Sequence, residues 1–292
     1  MVGIFFRRDS PALGVAKRFL WKAIRISNRY AINRGEFFAS LDTEILERHP
    51  PIFLVGPPRV GSTVLMQLLT QHLDVRYLGN YHKIFFGWPR LGDLLFRKQP
   101  GPRGELVSNL GTTPGLYGPW EGGDWWYRFF PRIPNYVDEV TERQVDRGSL
   151  LRSVANWTAG THRSIVFKNL YASLRIRVLA STFPNARYIH LEREESANAA
   201  SILQARKTVF QSTSVWWSLR PAGWESVTSE DPLTQVLFQI RETHRTIAED
   251  LELSGIPSSF IHKVSYEEIC ESPGDVLDRI ELFLSAAGVV RR

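Results

Sequence analysis

The order of hydrophobic and polar positions along this chain repeats one theme. A short unbroken apolar run is followed by a longer stretch with apolar residues at three- and four-residue spacing. The runs lie at 52–55, 164–168, 186–192 and 258–266, and each reads as a buried strand. Helical spacing follows at Val64, Leu65, Leu68 and Leu69 and in LYASLRIRVLASTF, which Pro184-Asn185 ends. It recurs in EESANAASILQAR, in residues 233–253, and in VLDRIELFL after Pro273. Residues 139–160 carry a helical pattern too. Alternating strands and helices predict an α/β class fold, a three-layer α/β/α arrangement around a central parallel sheet with right-handed crossovers.

Three stretches depart from that theme. Residues 1–49 form a basic helical N-terminal arm, in which Lys17, Arg18, Lys22, Arg25 and Arg29 intersperse with Phe19, Leu20, Ile24 and Ile26. The plainer reading is a helix packed on the domain with a solvated basic face; the other is a surface helix touching anionic membrane or a lipid substrate. Residues 73–90 read as irregular chain crossing the ligand side of the sheet. Residues 97–135 are dense in Gly, Pro and aromatics without periodicity, which marks a functional or a disordered segment. Trp120, Trp125, Trp126, Tyr127, Phe129 and Phe130 argue against disorder, leaving an acceptor-binding lid or a packed structural insertion. The expected organisation is that arm followed by one α/β domain over 50–292.

Composition narrows the chemistry only a little. The 292 residues are 43% hydrophobic with a net charge of +6 and a pI of about 9.5. This suits an anionic ligand, polymer or membrane surface. The 36 basic and 30 acidic residues are interspersed, so nucleic acid is not favoured as a partner. Cys270 is the sole cysteine, which excludes an intrachain disulfide and a Cys-based zinc site. The histidines lack metal-ligand spacing, so no metal is expected. No run of ~18 apolar residues and no secretory h-region is present. The expected location is cytoplasmic, with membrane association through the arm as the alternative.

Residues 56–63, GPPRVGST, carry the most specific signal. Gly56, Gly61 and Thr63 fill the Gly, Gly and Ser/Thr slots of the nucleotide P-loop, while Ser62 stands where that loop has its lysine. Arg59 supplies a cation inside the loop instead. A strand, a tight glycine loop and a helix start present unpaired N–H groups to an anion, yet this version is poorly built for a triphosphate. Arg59, Lys168 and Arg193 all follow or close apolar strands, where ligands of open parallel sheets bind. Ser201, eight residues past Arg193, faces back toward the strand end and can hold a second phosphate with it.

These motifs resemble the sulfotransferase family. PPRVGST is similar to its 5′-phosphosulfate loop, usually PRSGTT, and LEREESANAAS to its 3′-phosphate motif. IVFKN, FPNARYIHLERE and VSYEEICESPGDVLDRIELFL resemble segments of the tyrosylprotein and bacterial glycan branch. The resemblance spans roughly residues 51–285, weakest in the middle, and implies a P-loop-nucleoside-triphosphate-hydrolase-like sulfotransferase fold. It implies 3′-phosphoadenosine 5′-phosphosulfate (PAPS) as sulfuryl donor, adenosine 3′,5′-bisphosphate (PAP) as product, and an acceptor hydroxyl, first of a carbohydrate or glycolipid. Arg59, Val60, Gly61, Ser62, Thr63 and Val64 would hold the 5′-phosphate, and Arg193 and Ser201 the 3′-phosphate. Arg59 would also neutralise the reacting group, and Lys168 would sit by the oxygen bridging phosphorus and sulfur.

Val60 and Ser62 depart from the family's usual Ser and Thr. The branch's general-base Glu is missing where this chain reads Leu78-Gly79-Asn80-Tyr81-His82. His82, titrating near ~6.5 when unperturbed, is one candidate base. Glu121, a carboxylate among aromatics whose desolvation would raise its pKa, is the other. Relatives that place a Glu before an aromatic stretch favour Glu121, and Asp124 ranks third. Two further classes compete. A P-loop kinase or NTPase lacks its loop lysine here and an apolar strand ending in Asp. A non-catalytic binder of anionic glycans or membranes leaves two phosphate motifs unexplained.

Overall fold

The computed structural model describes residues 11–39, 41–96 and 110–292, with side chains from residue 19 onward. The N-terminal arm comprises α1 (Pro11–Ser27), a π-helical turn (Asn28–Ile32) and α2 (Asn33–Phe38), and the short α3 (Ile45–Arg48) follows. Next come β1 (Ile52–Val55), α4 (Ser62–His72), β2 (Arg76–Tyr77), α5 (Pro89–Leu95), α6 (Gly123–Trp126), α7 (Glu139–Glu142) and α8 (Arg147–Thr161). The second half runs β3 (Ile165–Phe167), α9 (Ile176–Thr182), β4 (Arg187–Glu192), α10 (Glu195–Phe210), α11 (Pro232–Leu253), β5 (Ile261–Ser265), α12 (Tyr266–Glu271) and α13 (Pro273–Ser285).

The five strands form one parallel sheet in the order β2-β3-β1-β4-β5, as the alternation predicts. β1 and β3 are buried on both faces, which is why each reads as an unbroken apolar run; most of β4 is buried too, with Arg187 and His190 among its apolar residues. Successive side chains then feed two different cores. Phe53, Val55, Phe167 and Tyr188 point into a core shared with α8, α9 and the aromatic segment. Ile52, Leu54, Val166, Ile189 and Leu191 point into another, closed by α4 and α13. Helices thus cover both faces of the sheet, the expected three layers. From β1 the chain passes to β2 and β3 on one side, then crosses to β4 and β5 on the other. The carboxyl end of β1 is therefore a topological switch point, where open α/β sheets form a crevice.

Several local expectations change. Residues 73–90 are not wholly irregular: β2 pairs Arg76 with Ile165 and Tyr77 with Val166, a strand too short to show alternation. The helix expected after β3 is broken, with a 3₁₀ turn (Leu170–Leu174) preceding α9. Asp138 and Asp146 split residues 139–160 into α7 and α8, accepting from the Thr141 and Ser149 N–H groups as N-caps. Of the 97–135 segment, residues 97–109 lie outside the described residues. In the remainder Trp125, Trp126, Phe129 and Phe130 are buried. Trp125 stacks on Phe167 with centroids 5.1 Å apart, so these four rings are packing, not lid.

Candidate active site

The glycine loop owes its shape to three left-handed residues. Gly56 has φ 154°, and a Cβ there would stand 2.8 Å from the Leu191 carbonyl oxygen. Gly61, at φ 89°, is the N-cap of α4, and a Cβ there would collide with the Tyr266 ring. Arg59 adopts φ 65° without being glycine, a conformation that costs energy and clusters at ligand sites. α4 has no side-chain cap. Leu65 N–H is the first to close a helical bond, to Gly61 O at 3.1 Å. The N–H groups of Ser62, Thr63 and Val64 precede it at the positive end of the helix dipole.

Neighbouring elements fix the loop from behind. Ser173 Oγ accepts from Gly56 N–H at 2.8 Å and donates to Gly56 O at 3.0 Å. Asn198 Nδ2 donates to Pro58 O at 2.8 Å. Arg193 Nη1 donates to Arg59 O at 2.9 Å, and its guanidinium lies 4.3 Å from the Tyr266 ring centre. Arg59 Nε donates to Ser201 Oγ at 3.2 Å. The structure therefore brings Arg59, Arg193 and Ser201 together, with Arg59 bridging the two predicted phosphate positions. Burial first, and then the Arg193 charge, hold the Arg59 pKa below its ordinary value. Two adjacent guanidiniums, neither in an ion pair among the described residues although the Arg193 charge reaches Glu194, are an arrangement that a bound anion stabilises.

Lys168 closes β3 and is 4% exposed. Its ammonium donates to Glu121 Oε1 at 2.7 Å and to Gly111 O at 3.0 Å. A Cβ placed on Gly111 would lie 3.5 Å from Glu121 Oε1, 3.6 Å from Lys168 Nζ and 3.8 Å from Thr63 Oγ1. The loop hydroxyl, the strand-end lysine and the carboxylate thus surround one small space. Glu121 is held by its backbone: Asn169 Nδ2 donates to Glu121 O at 3.0 Å, and Trp120 N–H to Leu78 O at 2.6 Å. Its environment differs from the sequence expectation. The side chain is 48% exposed and paired with Lys168, because the nearby tryptophans Trp125 and Trp126 turn into the core.

His82 is not placed as a base. It is fully buried, its Nδ1 accepts from Gly79 N–H at 2.9 Å, and its Nε2 faces Asp93 at 3.4 Å. Asp93 also accepts from Tyr81 Oη and from Trp157 Nε1. Burial alone would raise the Asp93 pKa; hydrogen bonds and charge from His82, Trp157 and Tyr81 outweigh it and hold it low. Asp124, the third candidate, is ion-paired with Arg25 at 3.3 Å and Arg132 at 3.6 Å. Sequence reasoning missed Gly111, Asn169, Ser173, Asn198 and Tyr266 as parts of the site. Their roles are close approaches across the fold; Asn169, Asn198 and Tyr266 stand inside the IVFKN, LEREESANAAS and VSYEE segments, whereas Gly111 and Ser173 left no motif behind.

Gly61→Ala is expected to destabilise the fold by about 1–3 kcal/mol, read as a lower urea midpoint. A Cβ there must push Tyr266 away from Arg193.

The chain is similar to known sulfotransferases in sequence and in fold. The ω-hydroxy-β-dihydromenaquinone-9 sulfotransferase Stf3 of Mycobacterium bovis is 24% identical over 311 residues, covering 89% of this chain and 75% of its own. Sulfotransferase STF1 from Mycobacterium tuberculosis H37Rv shares the fold with a TM-score of 0.54 at 17% identity, over 94% of this chain and 76% of its own. Sulfotransferase STF9 from Mycobacterium avium gives 0.54 at 19% identity over 83% of this chain; the match spans 66% of that protein, just under two thirds. The profile of the sulfotransferase family matches residues 50–287. That match runs from the residues before β1 through α13, so it takes in the whole α/β domain, and the chain belongs to the sulfotransferase family.

Proposed function

We propose that this chain transfers a sulfuryl group from PAPS to a hydroxyl of a lipid or glycolipid acceptor. The observation carrying the reading is the convergence of Thr63, Lys168 and Glu121 around one space beside the open start of α4. Backbone amides from Gly61 to Val64, the hydroxyls of Ser62 and Thr63, and Arg59 would hold the donor's 5′-phosphate. Arg193 and Ser201 would hold its 3′-phosphate. The fit rests on the adjacent guanidiniums of Arg59 and Arg193, which hold no ion pair among the described residues. The donor supplies a sulfuryl group bonded to a phosphate oxygen. Glu121 takes the proton of the attacking acceptor hydroxyl. Lys168 hydrogen-bonds that carboxylate and presents positive charge where the phosphate oxygen departs.

A carbohydrate or glycolipid is the acceptor class expected from the sequence. The relative named for a hydroxylated dihydromenaquinone widens that class to lipid-borne hydroxyls. The proposed place of work is the cytoplasm or the membrane face bordering it.

Thermal shift tests the donor assignment directly. PAP is expected to raise Tm without magnesium, since ligand binding to the native state stabilises it by mass action. Stabilisation by Mg-ATP alone would favour the kinase reading and overturn this one. Arg193→Ala is expected to weaken PAP binding about 10- to 150-fold, the worth of a hydrogen bond to a charged group.

A further inference from the structure

We infer that the outer face of the N-terminal arm docks on an anionic phospholipid bilayer. The inner face of α1 and α2 is committed to the domain. Asn28 Nδ2 donates to Ile84 O at 2.7 Å, Asn28 Oδ1 accepts from Gly87 N–H at 2.7 Å, and Gly35 packs on the Trp88 ring. Trp21, Ile24 and Ile32 are half-buried on the same side. The opposite side exposes apolar residues beside the basic ones. Phe19, Ile26, Tyr30 and Phe37 recur at helical spacing along one stripe, 68%, 50%, 60% and 60% exposed, and Phe38 beside them is 81% exposed. Exposed aromatics in such a row call for a partner.

Charge identifies the partner. Exposed Lys22 and Arg29 run along one edge of the stripe, with Arg25 between them paired to Asp124, and Arg34 stands within it. Between residues 19 and 39 the sole acidic residue is Glu36, which is buried. A second copy of the chain would set this basic edge against itself and offer no countercharge. Anionic headgroups complement it, with Phe and Tyr rings sitting at the acyl boundary and cations at headgroup level, the arrangement of an in-plane interfacial helix. Among the described residues no helix is long and apolar enough to cross a membrane, so the contact is peripheral. The arm also touches the acceptor side of the site: Arg25 pairs with Asp124, three residues after Glu121. A docked arm therefore sets the Glu121 segment close to the lipid surface, within reach of a lipid-borne hydroxyl. Only that last step rests on the proposed function.

The test is co-sedimentation of the full chain with phosphatidylcholine vesicles, with and without phosphatidylglycerol. Binding is expected only with phosphatidylglycerol, weakening as salt screens it. Phe19→Ser/Tyr30→Ser/Phe37→Ser is expected to lower partitioning at least about 10-fold. Lys22→Gln/Arg29→Gln is expected to lower it about five-fold for each charge removed. An unchanged PAP-induced Tm shift in these variants shows that the domain is intact. No binding to anionic vesicles at low salt would overturn the inference, as would binding indifferent to the triple substitution. A concentration-dependent dimer that the triple substitution dissolves would overturn it too, in favour of a second copy. Failure of the wild-type chain to bind PAP would strike the donor assignment and leave vesicle binding as a separate result.

Discussion

Glu121→Gln is expected to lower kcat for sulfuryl transfer by about 10²–10⁴-fold, the usual contribution of a positioned general base, and to leave the PAP-induced Tm shift unchanged. The substitution keeps an oxygen for the Lys168 ammonium, now 2.7 Å away, and removes the charge proposed to accept the proton. His82→Phe is expected to behave in the opposite way. The His82 ring sits 4.0 Å from the Tyr81 ring centre and 5.2 Å from that of Trp157, and accepts the Gly79 N–H. Its loss lowers stability and spares turnover in the fraction that remains folded. Single-turnover kinetics on both variants separates the two roles. Full-rate transfer by Glu121→Gln would remove this carboxylate from the mechanism.

The second large effect concerns the seam between the arm and the domain. Arg128→Leu is expected to cost about 3–5 kcal/mol, the penalty for leaving one member of a buried ion pair alone, read as a lower urea midpoint. Glu36 is 2% exposed. It accepts from Arg128 Nη2 and, at 2.7 Å, from Ser153 Oγ. Arg128 Nη1 also donates to Phe86 O at 3.0 Å, tying the arm to the segment after β2. Burial raises the Glu36 pKa, opposed chiefly by Arg128. Removing the guanidinium takes away that opposition and raises it further. A carboxyl whose folded pKa is raised stabilises the native state most below its unfolded pKa, and that contribution is lost as pH rises through the folded value. The deficit of Arg128→Leu is therefore largest near neutrality and narrows on acidification. A deficit independent of pH would mean that Glu36 is not the group left unpaired.

Both results turn on pairings that no local pattern announces. Lys168 was legible as a strand-end cation, and Glu121 as a carboxylate near tryptophans. That the two meet follows from Asn169 and Leu78 anchoring the backbone around Glu121. The aromatic segment shows the same limit. Its composition marked it as ordered, yet Trp125 and Trp126 fill the core against Phe53 and Phe167 and leave Glu121 open to solvent. His82 looked suitable by its chemistry alone, and burial decides otherwise. On the arm, the sequence showed basic and apolar residues mixed; docking through Asn28 and Gly35 selects which of them remain outside.

The sequence by itself determined the α/β class, the central strands, the glycine loop and the strand-end cations. These are local facts: a strand buried on both faces is rich in apolar residues, and a loop with left-handed residues before a helix needs glycine at close approaches. Tertiary structure alone decided which carboxylate meets Lys168, that Arg59 bridges Arg193 and Ser201, where the short β2 pairs, and which face of the arm stays bare. Those outcomes depend on contacts between residues many positions apart, set by the sheet order β2-β3-β1-β4-β5 and the packing around it, and periodicity in one segment carries no record of them.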